Sequence, residues 1–147
     1  GVMGTGDKSR YGTLKDKFAA RSEGDFKSLV PCAEDQNAVK HQASVDFIVH
    51  GIKVDVKAST LNTSNKGSKV RRWAFSIKKQ NLKADFLVCM AYKDDSLFKV
   101  LLIPGELVRG KATISVSERG SKWDDYIIPQ SDLAEFFESM NAAINAA

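Results

Sequence analysis

Residues 44–59 read SVDFIVHGIKVDVKAS, and the interpretation of the whole chain starts from this stretch. Two runs rich in apolar and β-branched residues flank His50 and Gly51, a pair that is typical of a tight turn. The pattern predicts a β-hairpin in which the numbers of facing residues add up to about 101. In that register Asp46, near the open end of the first strand, lies close to Asp55 on the second strand.

Three of the charged side chains within these apolar strands are predicted to converge. Asp55 and Lys57 are two residues apart and therefore share one face of their strand, while Asp46 faces them from the neighbouring strand. Because facing like charges are unfavourable, we expect a cation between the two carboxylates. Oxygen ligands of this kind suit Mg²⁺. A lysine beside them can orient or deprotonate a metal-bound water, or stabilise the developing charge on a phosphorane.

Basic residues concentrate immediately after the hairpin. Residues 56–84 contain eight Lys or Arg and no Asp or Glu, although the net charge of the whole chain is only +4. Such segregation creates a local positive field, and phosphate backbones are its usual partner. The alternative interpretation is a solvated Lys-rich face. The residues predicted to contact DNA phosphates are Lys66, Lys69, Arg71, Arg72, Lys78 and Lys79.

The segments on either side of the hairpin predict a single domain of the α/β (α+β) class. A capping pattern at Thr13 predicts a helix that Gly24 ends, followed by a strand from Phe26 to Cys32. Further strands are predicted at 72–77, 85–92, 98–103, 114–117 and 126–128. Helical spacing predicts a C-terminal amphipathic helix with the apolar residues Leu133, Phe136, Phe137, Met140 and Ile144.

The composition excludes several classes of protein. The 147 residues are 43% hydrophobic and 27% charged, as is ordinary for one globular domain, which we place at 12–147 after a flexible arm at 1–11. No apolar run approaches the roughly 20 residues of a membrane-spanning helix, and no secretory signal is visible. Cys32 and Cys89 lie far apart among apolar residues. We therefore expect buried thiols in a reducing, cytoplasmic compartment and no zinc knuckle.

The order of these features resembles the PD-(D/E)XK nuclease superfamily. Asp46 and the run Asp55-Val56-Lys57 match its catalytic motif, with Val45 where proline is common. The resemblance extends over roughly residues 11–138 and implies a single restriction-endonuclease-like domain, with a central mixed sheet flanked by helices. It also implies a Mg²⁺ ion, for which Mn²⁺ can substitute, held by Asp46, Asp55 and the backbone carbonyl of Val56. Lys57 would then position or activate the attacking water.

The first helix of that superfamily often supplies a further acidic residue. Asp16 stands at the matching place and is the predicted fourth catalytic residue, with Glu23 and Glu34 as rival candidates. The resemblance also implies hydrolysis of phosphodiester bonds to a 5′-phosphate and a 3′-hydroxyl.

The predicted function is a Mg²⁺-dependent endonuclease of double-stranded DNA, either site-specific, as in restriction or homing enzymes, or structure-selective. A Holliday-junction resolvase or repair nickase of the same fold is one alternative, and a non-catalytic DNA-binding module is another. Because one active site cuts one strand, we expect a homodimer or higher homo-oligomer. The C-terminal helix is a candidate interface, and the alternative is that it covers the sheet.

Overall fold

The computed structural model describes residues 17–39, 44–63, 69–77 and 82–146, which form two β-sheets and several helices. The strands are β1 (Glu34–Asp35), β2 (Phe47–Val49), β3 (Ile52–Thr60), β4 (Asn62–Thr63), β5 (Arg71–Ser76), β6 (Phe86–Lys93), β7 (Ser96–Pro104), β8 (Thr113–Ser117) and β9 (Ile127–Ile128). The α-helices are α1 (residues 17–29), α2 (Gln36–Val39), α3 (Gly105–Val108) and α4 (Leu133–Ala146). Two short 3₁₀ helices are Lys122–Tyr126 and Gln130–Asp132.

The central sheet has six strands in the order β1-β2-β3-β6-β7-β9, and a smaller sheet has the order β4-β5-β8. β3 pairs with β2 in the antiparallel sense and with β6 in the parallel sense, so the central sheet is mixed. The prediction of an α+β fold with a central mixed sheet flanked by helices is confirmed.

The β2–β3 hairpin has the register that the sequence predicts. Phe47 faces Val54 and Val49 faces Ile52, so the paired residue numbers do add up to 101. His50 and Gly51 have φ angles of 51° and 83°, the left-handed conformations that a two-residue hairpin turn requires. The local alternation and the turn residues are therefore enough to define this hairpin.

The central sheet buries a core on each face. On one face, residues such as Val54 and Val56 of β3 pack with Phe26 of α1 and Phe137 of α4. On the other face, residues of β6 such as Cys89 pack against the smaller sheet. Asp55 and Lys57 alternate with the two valines along β3, so they lie on the face that meets the smaller sheet.

The predicted end of the first helix is wrong. The helix continues past Gly24 to residue 29, and the strand expected from Phe26 to Cys32 does not form. Phe26 and Val30 are fully buried, whereas Gly24 lies on the exposed side of the helix. A glycine inside a helix costs about 1 kcal/mol, which is less than the burial of these apolar side chains contributes. Cys32 consequently falls in an exposed turn after the helix, contrary to the expected burial, while Cys89 is buried as predicted.

The C-terminal helix α4 covers the sheet. Leu133 and Phe137 are fully buried, Phe136 and Met140 pack against the same core, and Ile144 is 55% exposed. Most of the apolar face of α4 is therefore buried within the chain. Of the two roles considered for this helix, covering the sheet describes it better than forming an interface. Among the described residues, no helix is long and apolar enough to cross a membrane. The arm predicted at 1–11 lies outside the described residues.

Candidate active site

The candidate site lies where β2 stops pairing with β3. β2 pairs only with Ile52–Val54, so the later residues of β3 have β6 on one side and no β2 partner on the other. β5 lies near this half of β3, because the backbone N–H of Ala74 donates a hydrogen bond of 3.0 Å to Ser59 Oγ. A pocket of about 550 Å³ opens between α1, β3 and β5.

Asp46 and Asp55 meet at the edge of this pocket. The backbone N–H of Asp46 donates to Asp55 Oδ1 over 3.1 Å, and the N–H of Val56 donates to Asp46 Oδ2 over 2.9 Å. These two side chain-to-backbone bonds join the two segments of the hairpin just beyond its last regular backbone pair. The predicted proximity of the two carboxylates is thus confirmed.

A third carboxylate reaches the same place from α1. The side-chain amide nitrogen of Asn37, in α2, donates to Glu23 Oε1 over 2.9 Å and to Asp46 Oδ1 over 3.0 Å. One amide therefore joins the acidic residue of the helix to the acidic residue of the hairpin. Asn37 carries no recognisable signal in the sequence, because its role depends on a contact between separate elements.

Contacts with the sheet hold α1 in position. The Tyr92 hydroxyl on β6 donates a hydrogen bond of 2.6 Å to Asp25 Oδ2, and the Phe18 ring packs edge-on against Tyr92 with centroids 5.3 Å apart. Phe18 and Asp25 flank Glu23 on the helix. This anchoring places the Glu23 side chain at the wall of the pocket.

The three sequence candidates for the additional acidic residue have different positions. Glu23 lines the pocket, whereas Glu34 lies on β1, opposite Ile48 and away from the pocket lining. The predicted catalytic residue Asp16 lies outside the described residues. Of the two candidates that the structure describes, Glu23 is the one that joins Asp46.

Lys57 lines the same pocket as Glu23 and Asp46. It shares its face of β3 with Asp55, as predicted, and sits opposite Cys89 of β6. In the part of the chain that the structure describes, Lys57 makes no ion pair with a carboxylate. Its ammonium group is therefore available to a molecule that enters the pocket.

Two carboxyl groups of the site, those of Asp55 and Glu23, have raised pKa values. Burial raises the pKa of Asp55 from 3.8 to about 6, with a further increase from the charge of Asp46 and smaller opposing effects from the Asp46 N–H and Lys57. Burial also raises the pKa of Glu23; the hydrogen bond from Asn37 opposes this, and the Asp46 charge adds to it. Crowded carboxylates of this kind are stabilised by a bound cation.

We expect the metal-free protein to lose stability as the pH rises from about 4 to about 6. The folded-state pKa of Asp55 lies above the unfolded-state value, so over this range the folded chain keeps a proton that the unfolded chain has released. The contribution of Asp55 to the free energy of unfolding is fully present below about pH 4 and is lost above about pH 6. After allowance for solvent screening it amounts to about 1–2 kcal/mol.

Urea denaturation at a series of pH values in EDTA checks this expectation. Asp55→Asn removes the titration while its amide oxygen still accepts from the Asp46 N–H, so the variant should show a flatter pH dependence than the native chain. Asp94→Asn, in the exposed β6–β7 turn, is the matched control. Equal pH dependence in the native chain and Asp55→Asn would contradict the assignment.

The residues predicted to contact DNA have different surroundings. Arg71 is already paired, because its guanidinium binds Glu118 through bonds of 3.0 and 2.8 Å, and Lys93 binds the same carboxylate over 3.1 Å. Arg72 lies on the opposite face of β5, the face that carries the pocket residues Ala74 and Ser76.

The remaining predicted contacts are only partly described. Lys69 is exposed just before β5, and Lys66, Lys78 and Lys79 lie outside the described residues. Residues 56–84 contain no acidic residue, but in the folded chain Glu118, which follows β8, lies against Arg71 of this segment. The segment is therefore not free of acidic neighbours in three dimensions.

No protein-family model matches this chain, and a search of curated proteins finds no match either. A function for the chain is therefore inferred from the geometry and chemistry of its pocket.

Proposed function

We propose that this chain is a Mg²⁺-dependent endonuclease of double-stranded DNA with a PD-(D/E)XK site. The observation that supports the proposal is the convergence of Glu23, Asp46, Asp55 and Lys57 at one edge of the sheet. Glu23, Asp46 and Lys57 line an open pocket, and Asp55 contacts Asp46 beside it. Three acidic groups and one lysine in this arrangement are suited to metal-assisted hydrolysis of a phosphodiester.

The donor atoms of the pocket fit a hard divalent cation. All the side-chain donors that converge are carboxylate oxygens, and the pKa of Asp55 is raised to about 6 by its burial and by the charge of Asp46, an effect that a cation would reverse. Asp46, Asp55 and the backbone carbonyl of Val56 would hold the ion, and Mn²⁺ would be accepted in the same place. Bound there, Mg²⁺ supplies Lewis-acid polarisation of the scissile phosphate.

The remaining work falls to side chains of the chain itself. Lys57 positions or activates the attacking water, or stabilises the charge that develops on the phosphorane, since it lines the pocket beside Asp46. Glu23 accepts a hydrogen bond from Asn37 and so orients the amide that in turn holds Asp46. Cleavage on this scheme leaves a 5′-phosphate and a 3′-hydroxyl.

Phosphate binding is expected to depend more on Arg72 than on Arg71. Replacing Arg72 with alanine should weaken duplex binding and flatten the plot of log affinity against log salt by about 0.9, the loss of one phosphate contact. Arg71→Ala removes a group that is already held by Glu118, so its salt slope should stay close to the native value. Fluorescence anisotropy over a salt series measures both slopes, and equal slopes for the two variants would contradict this difference.

The direct test of the proposed function is cleavage of a supercoiled plasmid, a library of linear duplexes and a synthetic four-way junction. Mg²⁺-dependent cleavage that EDTA abolishes is expected, and the substrate that is cut distinguishes site-specific enzymes from resolvases and nickases. Binding of DNA without cleavage of any substrate in Mg²⁺ or Mn²⁺ would instead identify a non-catalytic binding module.

We also propose that two copies of the chain act together on a duplex. The described residues form a single pocket of this composition, and one such site cuts one strand. A two-fold homodimer would place two sites on opposite strands. Light scattering with and without DNA measures the oligomeric state of the chain. Double-strand breaks made by a species that stays monomeric on DNA would contradict the proposed dimer.

A further inference from the structure

A second group of ligand-type side chains lies at the other end of the β2–β3 hairpin. Cys32 follows α1, His50 occupies the hairpin turn, and Glu138 belongs to α4. Their ligand atoms lie within 4.8 Å of one another. We propose that these three residues form a binding site for Zn²⁺ or a similar late first-row divalent cation.

The distances between the ligand atoms approach those around tetrahedral zinc. Cys32 Sγ lies 3.6 Å from His50 Nε2 and 3.9 Å from Glu138 Oε1, and the last two atoms are 2.7 Å apart. Zinc bonds of about 2.0–2.3 Å in tetrahedral geometry separate ligand atoms by about 3.3–3.6 Å. Only the His50–Glu138 pair has to open, by about 0.6 Å, as its hydrogen bond is exchanged for two metal bonds.

The chemistry of the donors selects the class of metal. A thiolate and an imidazole are softer ligands than the carboxylates and carbonyls that Mg²⁺ and Ca²⁺ prefer. One sulfur, one nitrogen and one carboxylate oxygen form a ligand set that zinc accepts, with water in the fourth position. The side chains of His50 and Glu138 are 25% and 59% exposed, so a metal and a water can reach the cluster.

The arrangement does not suit a thiol nucleophile. In a Cys–His–acid relay the thiol and the acid contact opposite nitrogens of the imidazole ring. The acid then stabilises the imidazolium that forms when the ring takes the proton of the thiol. Here Cys32 Sγ and Glu138 Oε1 both contact the same atom, His50 Nε2. Convergence of three ligand atoms on one side of the ring is what a metal between them requires.

Each ligand is held by its own element. The ammonium group of Lys27 donates to the carbonyls of Pro31 and Ala33, which fixes the backbone on both sides of Cys32. His50 is held in the turn at a φ of 51°. A metal bound to this cluster would join α4 to the hairpin whose open end carries Asp46 and Asp55, and would thereby stabilise the folded chain.

Cobalt substitution tests the site in the full chain. We expect Co²⁺ added to metal-free protein to produce a thiolate-to-cobalt charge-transfer band and intense visible bands that saturate at one equivalent and disappear when Zn²⁺ is added. The chain contains two cysteines and Cys89 is fully buried, so the charge-transfer band reports on Cys32. Absence of this band in the native chain at saturating Co²⁺ would overturn the proposal without any variant.

Variants then assign the ligands. Cys32→Ser should remove the charge-transfer band, and His50→Asn, which tolerates the left-handed turn, and Glu138→Gln should each weaken Zn²⁺ binding by at least about tenfold. Glu135→Gln, on the same helix, is the matched control and should leave the spectrum unchanged. Circular dichroism verifies folding, and a folded Cys32→Ser variant that keeps the band would overturn the site.

The two metal sites can be separated experimentally. Asp55→Asn should leave the cobalt spectrum unchanged, because Asp55 lies at the opposite end of the hairpin. Zinc at about a hundredfold excess over its Kd should raise the Tm of the native chain by about 5–10 °C, and should raise that of Cys32→Ser by less. An equal rise in both proteins would show that zinc stabilises the chain elsewhere and would count against this cluster.

Discussion

Replacing Asp55 with asparagine is expected to lower Mg²⁺-dependent cleavage of plasmid DNA by about 10³-fold or more, since a bound metal supplies several kcal/mol of transition-state stabilisation. The asparagine keeps an oxygen that can accept the hydrogen bond from the Asp46 N–H, so the hairpin should remain folded. What the variant loses is a negative charge at the proposed metal position. Asp46→Asn should have a similar effect for the same reason.

The matched control for these variants is Asp94→Asn. Asp94 lies in the exposed β6–β7 turn with a φ of 50°, a conformation that asparagine adopts readily. The Asp94→Asn substitution changes the net charge by the same amount as Asp55→Asn and should leave cleavage unchanged. Initial rates at saturating DNA and Mg²⁺ are the measurement. An Asp55→Asn protein with the native rate would remove Asp55 from the proposed site.

Replacing Lys57 with methionine is expected to reduce cleavage by about 10²–10⁴-fold, the usual contribution of a positioned acid–base group. Methionine keeps most of the side-chain volume and removes the ammonium group. Because Lys57 is not among the proposed metal ligands, calorimetry should show that Mg²⁺ still binds. Loss of rate with metal binding intact is the result that separates Lys57 from the carboxylates.

Lys53→Met is the control for the lysine variant. Lys53 lies on the same strand as Lys57 and is exposed, but it faces Ile48 of β2 in the ladder, before the pocket begins. The substitution removes one positive charge and should leave both cleavage and DNA binding nearly unchanged. A Lys57→Met protein that cleaves like Lys53→Met would show that Lys57 has no part in the reaction.

The two experiments also distinguish an enzyme from a binding module. In a non-catalytic module, Asp55→Asn and Lys57→Met would bind DNA like the native chain, and neither protein would show a metal requirement. In the proposed nuclease the variants retain DNA binding but lose turnover. Parallel measurement of binding and cleavage therefore decides between these two functions.

The hairpin and the convergence of three of its charged residues could be predicted because the contacts that define them are local. Alternation along residues 44–59 and the pair His50-Gly51 determine which residues face each other, and Asp46, Asp55 and Lys57 follow from that register. The predicted approach of Asp46 to Asp55 depends only on one turn and two strands. The same local reasoning found the strands of the two sheets except β1 and β4, and it found the amphipathic face of α4.

The extent of α1 could not be predicted in this way. Gly24 is a local signal for a helix end, but the burial of Phe26 and Val30 against α4 and the sheet outweighs it. The choice of Glu23 as the third carboxylate depends on how α1 packs on the sheet, through contacts such as Tyr92 with Asp25, and on the amide of Asn37. Neither contribution is visible in a short stretch of sequence.

The sequence was enough to predict the hairpin, the α+β fold class and the positions of Asp46, Asp55 and Lys57 relative to one another. Three features are visible only in the folded chain: Glu23 joins this group, Arg71 pairs with Glu118, and Cys32, His50 and Glu138 form a second cluster. The partners in these contacts are far apart along the chain. Asn37 and Glu23 are 14 positions apart, Arg71 and Glu118 are 47 apart, and Cys32 and Glu138 are 106 apart. Such contacts form only when the packing of whole helices and strands brings them together.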